Sequence, residues 1–237
     1  MFNVEKKSFS NAFVPVNIGE VMRYAGIRNP AYTSTEGDAS DTVKALIDDC
    51  IAEGERQKAI NFEVCFAVTP LSIKQNVCDF NAFSLESKGL ADALSGSKSA
   101  LIFACTIGVD IDRLIRKYSA VSPSRALMFQ ALGAERVETY IDLFLEDFCK
   151  DKKVSLSPRF SAGYGDLPLA AQRDIFKLLS PEKLLGLTLN DSLLMSPSKS
   201  VTAFAGIKEN GGLPLNNGGC KISSCERCQN KTCAYRK

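Results

Sequence analysis

The chain has 237 residues, 45% of them hydrophobic and 24% charged, with a formal net charge of +2. That composition belongs to a globular fold with a substantial core and leaves no broad basic field for nucleic acid. Nine cysteines stand beside no histidine at all, which excludes Ser-His-Asp and Cys-His nucleophile systems, histidine general bases and histidine metal ligands on this chain.

The opening MFNVEKKSFSNAF has no apolar stretch of signal-peptide length. The longest apolar run, SALIFACTIGV from Ser99 to Val109, is too short to span a bilayer and reads as a buried strand. A cytoplasmic protein without a membrane partner is the expectation. In that compartment cysteines serve as thiols or metal ligands rather than as a disulfide framework.

In chain order, a short strand-like stretch precedes IGEVMRYAG (Ile18 to Gly26), a short helix stopped by Gly26. NPAYTSTEGDAS is a loop of turn formers, after which Asp41 is expected to cap a helix with Val43, Leu46, Ile47 and Cys50 at helical spacing. INFEVCFAV (Ile60 to Val68) reads as a strand, with further strand between Lys74 and Phe83. ESKGLADALSGSK gives a helix ending near Gly96, and Ala100 to Cys105 a strand. A helical stripe follows in Val109, Ile111, Leu114, Ile115 and Tyr118, and Pro123 opens a long helix. Beyond RFSAGYGDLP lie a short helix, LAAQRDIFKLL, ended by Ser180-Pro181, and an alternating strand, SVTAFAGI. ENGGLPLNNGG is a linker, and the last eighteen residues are rich in cysteine.

Strands and helices interleave without a clean βαβ repeat. The expected fold is therefore α+β, a mixed, mainly antiparallel twisted sheet with helices packed against it. One domain covers residues 1–210, and 211–237 form the linker and tail.

RFSAGYGDLP, from Arg159 to Pro168, carries more than a turn requires. Its glycines suit a turn, but arginine offers a planar fork for a carboxylate and tyrosine a flat apolar face with a polar end. The spacing Arg159-x-x-x-Gly163-Tyr164-x-x-x-Pro168 resembles the signature of the activation (reactivation) domain of cobalamin-dependent methionine synthase. Downstream, Gly186, Leu189, Ser192, Met195, Pro197, Ser200 and Val201 are similar to that family's second motif. The resemblance is closest over Pro123 to Ile207 and looser across the first hundred residues.

The resemblance implies binding of S-adenosylmethionine and transfer of its methyl group to the cobalt of a cobalamin cofactor on a partner protein, after Co(II) has been reduced. It implies that Arg159 clamps the ligand's carboxylate, that the backbone at Ala162 and Gly163 lies against the ligand, and that Tyr164 sits between ligand and corrin. An acidic residue of the preceding helix would pair with the ammonium: Glu138, with Glu135 and Asp142 as alternatives. No catalytic acid or base is needed, because rate in a methyl displacement comes from alignment. The implied partner is a cobalamin-binding methionine synthase lacking its own activation domain, or another corrinoid protein, with flavodoxin or ferredoxin as electron donor. The alternative is a non-catalytic corrinoid-protein adaptor that keeps the fold without S-adenosylmethionine.

The tail, CKISSCERCQNKTCAYRK, places Cys220, Cys225, Cys228 and Cys233 within fourteen residues. Four neighbouring thiolates suit tetrahedral zinc or an iron–sulfur cluster, and the spacing leaves both open. The other cysteines, Cys50, Cys65, Cys78, Cys105 and Cys149, lie in or beside apolar segments and read as buried thiols.

Overall fold

A computed structural model describes residues 2–9, 14–27 and 38–208. The elements in order are β1 (Val4–Ser8), α1 (Ile18–Tyr24), α2 (Asp38–Arg56), β2 (Glu63–Pro70), β3 (Ser72–Lys74), β4 (Val77–Asp79), β5 (Ser84–Glu86), α3 (Lys88–Ala93), β6 (Ser99–Thr106), α4 (Asp110–Val121) and α5 (Pro123–Lys152). They continue with β7 (Ser155–Leu156), α6 (Gln172–Leu179), α7 (Pro181–Leu185), β8 (Thr188–Leu189), β9 (Met195–Ser196) and β10 (Ser200–Lys208).

The main sheet has the order β1-β2-β6-β10-β7, and each pairing in it is antiparallel. With β3-β4-β5 and the β8-β9 hairpin as smaller antiparallel sheets, this is the α+β architecture expected from the interleaved pattern.

Strand β6 explains the layering. Leu101, Phe103 and Cys105 point to one face, where they pack with Phe129, Ile141 and Phe144 of α5. Ala100, Ile102 and Ala104 point to the other, among Phe80, Leu90, Ile175 and Phe204. Both alternating sets are apolar because the sheet is covered on both sides. Phe144 sits 5.2 Å from Phe66 and 5.6 Å from Phe103, ring centre to ring centre, and so fixes α5 across two strands. Each fully buried phenylalanine of this kind stabilises the fold by about 1.5–3 kcal/mol relative to exposure.

Local signals set several element ends. Asn17 caps α1 by accepting from Glu20 N–H at 3.2 Å, and Gly26 follows at φ +72°, the left-handed stop expected of it. Two boundaries differ from the sequence expectation. Helix α2 starts at Asp38 and not beyond Asp41. The segment after Pro168 begins as a 3-10 turn, Leu169–Ala171, before α6. Ser180-Pro181 ends α6 as expected: Ser180 turns left-handed at φ 48°, and Pro181 then starts a separate helix, α7, as a first-turn proline can.

Candidate functional site

The site begins with a strand edge. After β7 the chain stays beside β10: Ser157 N–H donates to Gly206 O at 2.8 Å, and Phe160 and Phe204 exchange backbone bonds of 2.8 Å each way. Side chains alternate along this extended run. Arg159 therefore turns toward α5, while Phe160 turns to the opposite face and packs over Gly89.

On α5, Glu138 meets Arg159, whose Nη2 donates to Glu138 Oε2. The Arg159 side chain is 18% exposed and that of Glu138 37%. Nη1 of Arg159 is buried with no hydrogen-bond partner among the described residues. Burial opposes the arginine's charge, but the nearby carboxylates of Glu138 and Asp142 more than offset it, and its pKa is raised. Arg159 and Glu138, proposed from sequence for opposite ends of one ligand, thus stand together.

Of the two alternative acids, Glu135 has another role. It is buried, and it accepts from Arg136 Nε at 2.5 Å and Nη2 at 2.7 Å, from Thr139 Oγ1 at 2.9 Å and from Asn17 N–H at 3.0 Å. Arg136 also donates to Val14 O at 2.7 Å and Pro15 O at 3.1 Å. This buried pair pins the start of α1 to α5, and breaking one half of it would strand the other. Asp142 lies one turn beyond Glu138 and within electrostatic reach of Arg159.

By fixing α1, the Glu135–Arg136 pair brings in a residue that sequence reasoning missed. Tyr24 is partly buried, and its hydroxyl pKa is raised by that burial and by the Glu138 carboxylate nearby. The guanidinium of Arg23 lies 4.3 Å from the centre of its ring. No motif in IGEVMRYAG connects it with a helix more than a hundred residues away; its place within electrostatic reach of Glu138 arises only through tertiary packing.

The loop itself is built by its small residues and fastened at two points. Gly163 adopts φ +86° and Gly165 φ +55°, left-handed values that favour glycine. Ala162 and Leu167 are buried in the core of the opposite face. Asp166 accepts from Ser87 Oγ at 2.6 Å, Lys88 N–H at 2.7 Å and Gly89 N–H at 3.0 Å. Between these anchors Tyr164 is 67% exposed, its ring 6.5 Å from that of Phe160. Pro168 closes the loop and leads into the 3-10 turn without a side-chain cap.

The second motif has a structural reading. Gly186 ends α7 at φ +66°, Leu189 pairs with Met195 across the β8-β9 hairpin, and Ser200 and Val201 open β10. Ser198 hydrogen-bonds Asp112 of α4 through its N–H at 2.7 Å and its hydroxyl at 2.5 Å. The motif thus delivers β10, on which Arg159's strand edge rests.

A cavity of about 590 Å³ lies on the sheet face away from Arg159, with Phe2, Val4, Phe83, Leu178, Lys183 and Leu184 among its lining. It contains none of the residues proposed as ligand contacts. Among the described residues no group of three acidic or thiol side chains could hold a metal, and no helix is long and apolar enough to cross a membrane. Cys220, Cys225, Cys228 and Cys233 lie outside the described residues.

No family model matches the chain, and no curated protein matches it. Among solved structures it is similar to the crystal structure of the MetH reactivation domain bound to AdoHcy (S-adenosylhomocysteine). The TM-score is 0.63 at 17% identity, and the match covers 89% of this chain and 80% of that one. At that identity the likeness establishes a shared fold.

Proposed function

We propose that this chain binds S-adenosylmethionine and serves in the reductive reactivation of a cobalamin-dependent methionine synthase, or of a related corrinoid protein. One observation carries the reading. In a chain sharing the fold of an AdoHcy-bound reactivation domain, the two residues nominated from sequence for the ligand's ionic head, Arg159 and Glu138, stand in contact.

In this reading Arg159 takes the carboxylate and Glu138 the ammonium, the backbone at Ala162 and Gly163 lies along the ligand, and exposed Tyr164 faces the corrinoid. The corrinoid cobalt is the methyl acceptor. An electron from flavodoxin or ferredoxin brings Co(II) to Co(I), and the sulfonium methyl then passes to cobalt, leaving AdoHcy. The chain contributes alignment of the sulfonium and exclusion of competing orientations, and needs no proton shuttle. The partner would be a cobalamin-binding methionine synthase without an activation domain of its own.

The tail adds a metal. Cys220, Cys225, Cys228 and Cys233 suit zinc or an iron–sulfur cluster, because four thiolates satisfy either. Metal analysis and the visible absorption of anaerobically purified protein distinguish them.

Calorimetric titration of AdoHcy and S-adenosylmethionine into the wild type and Arg159→Ala tests the function. Binding that weakens at least about tenfold in the variant supports it, since a lost charge-assisted hydrogen bond is worth about 1.5–3 kcal/mol. A folded wild type that binds neither ligand, alone or with a corrinoid protein, would leave the adaptor reading in its place.

A further inference from the structure

Arg159 and Glu138 are each other's partners, and their bond leaves part of the guanidinium unused. Nη2 of Arg159 and Oε2 of Glu138 are engaged, while Nη1 is buried without a partner among the described residues. The guanidinium is the more enclosed of the two, at 18% exposure against 37%.

We infer that the Glu138–Arg159 pair is a resident stand-in for the ligand's ionic head, which makes the site selective for zwitterions: only a molecule bringing a carboxylate and an ammonium together, as a free α-amino-acid head does, binds tightly. The inference rests on the S-adenosylmethionine reading above and adds the rule by which the site rejects near relatives of that ligand.

Selectivity follows from which charges are left alone. A ligand with only a carboxylate meets a guanidinium that Glu138 already neutralises. It either crowds a second anion around one cation, with Asp142 close by, or displaces Glu138 and leaves that carboxylate unpaired. A ligand with only an ammonium draws Glu138 away and strands the more buried Arg159, which costs more. A zwitterion does neither. Its carboxylate reaches the orphan Nη1, its ammonium reaches Glu138, and every charge keeps a partner. Discrimination of this kind comes from groups stranded by the wrong ligand more than from added attraction to the right one. The expected order of affinity is zwitterion, then carboxylate alone, then ammonium alone.

The test is calorimetric titration of AdoHcy, its deaminated analogue (carboxylate only) and its decarboxylated analogue (ammonium only) into the wild type, Glu138→Gln and Glu138→Ala, with folding checked by circular dichroism. In the wild type AdoHcy should bind at least about tenfold more tightly than either analogue. Removing the Glu138 charge frees Arg159, so the deaminated analogue should bind both variants more tightly than it binds the wild type, while AdoHcy binds them less tightly. If the wild type binds AdoHcy and the deaminated analogue equally, or if that analogue gains nothing in either variant, the stand-in is wrong and S-adenosylmethionine binding survives. If the folded wild type binds none of the three, both readings fall.

Discussion

Asp166 reaches from the glycine-rich loop to Ser87, accepting its hydroxyl at 2.6 Å, and so ties the loop to the start of α3. The same carboxylate takes the N–H groups of Lys88 and Gly89, and Ser87 Oγ in turn accepts from Leu90 N–H at 3.0 Å. Gly89 is part of the joint, because an added Cβ there would stand 3.0 Å from both Asp166 Oδ1 and the Phe160 ring. One clasp thus sets the loop that carries Tyr164 and the strand edge that carries Arg159.

Asp166→Ala should therefore weaken AdoHcy binding without touching the ligand, and should lower the melting temperature. The hydrogen bond from Ser87 and the N–H of Gly89 hold the Asp166 carboxyl below the usual carboxylate range. Its stabilisation is present above that range and drains away as pH falls through the folded value. Melting curves of wild type and variant should converge on acidification; curves that stay parallel would remove Asp166 from the acid response.

Glu53 anchors a second network, among the helices α2, α4 and α5. It accepts from Tyr118 OH at 2.7 and 2.8 Å, Gln57 Nε2 at 2.8 Å, Lys117 Nζ at 3.1 Å and Arg125 Nη2 at 3.3 Å, joining α2, α4 and α5. Burial opposes its ionisation, but the hydrogen bonds from Tyr118 and Lys117 and the Arg125 charge outweigh it, so the carboxyl titrates below its ordinary value. Glu53→Leu strands these donors. Lys117 and Arg125 can turn to solvent, so the expected loss is about 1–2 kcal/mol by urea denaturation at neutral pH, below the usual cost of a broken, fully buried pair. The difference from wild type should shrink as pH falls through the folded pKa, because the wild-type carboxylate then loses its charge as well.

Much of this was legible in the sequence where a period or a cap spoke. The α4 stripe, the all-apolar β6, Gly26 and Pro123 each fixed an element, and the Arg159–Pro168 spacing located the loop. What stayed hidden was tertiary or too short to show a period. Strands β7, β8 and β9 have two residues each. Glu135 and Glu138 look alike on one helix, yet one is locked to Arg136 and Asn17 and the other faces Arg159; only the path of residues 14–17 separates them. Tyr24 carries no local signal for its place beside Glu138.

The cysteines divide into two chemical classes that alkylation can count. Burial pushes Cys50 and Cys78 up to about 11 and Cys65 to about 12, and raises Cys105 and Cys149 as well. These five are thiols, not thiolates, near neutral pH and should resist iodoacetamide in the native protein. Labelling should map to Cys220, Cys225, Cys228 and Cys233 and be suppressed by the metal proposed for them. Mass spectrometry with and without a chelator decides it, and unchanged labelling after metal removal would count against a thiolate centre.

Gly206 lies where β10 meets the Arg159 edge, and its missing side chain is a packing requirement. A Cβ there would stand 2.3 Å from Ser97 Oγ and 3.0 Å from Ser97 Cβ. Gly206 N–H also donates to Ser157 Oγ at 2.8 Å, which leaves the strand little freedom to shift. Gly206→Ala should cost about 1–3 kcal/mol, the usual cost of overpacking a closed site. Ser97 Oγ is buried without a partner among the described residues, so removing it forfeits no hydrogen bond shown there. Ser97→Gly in the Gly206→Ala background should therefore recover part of the loss, and a double-mutant cycle by urea denaturation measures the coupling. Additive single effects would mean that β10 yields elsewhere. In that case AdoHcy affinity should fall with stability, because any shift of β10 moves the edge on which Arg159 is mounted.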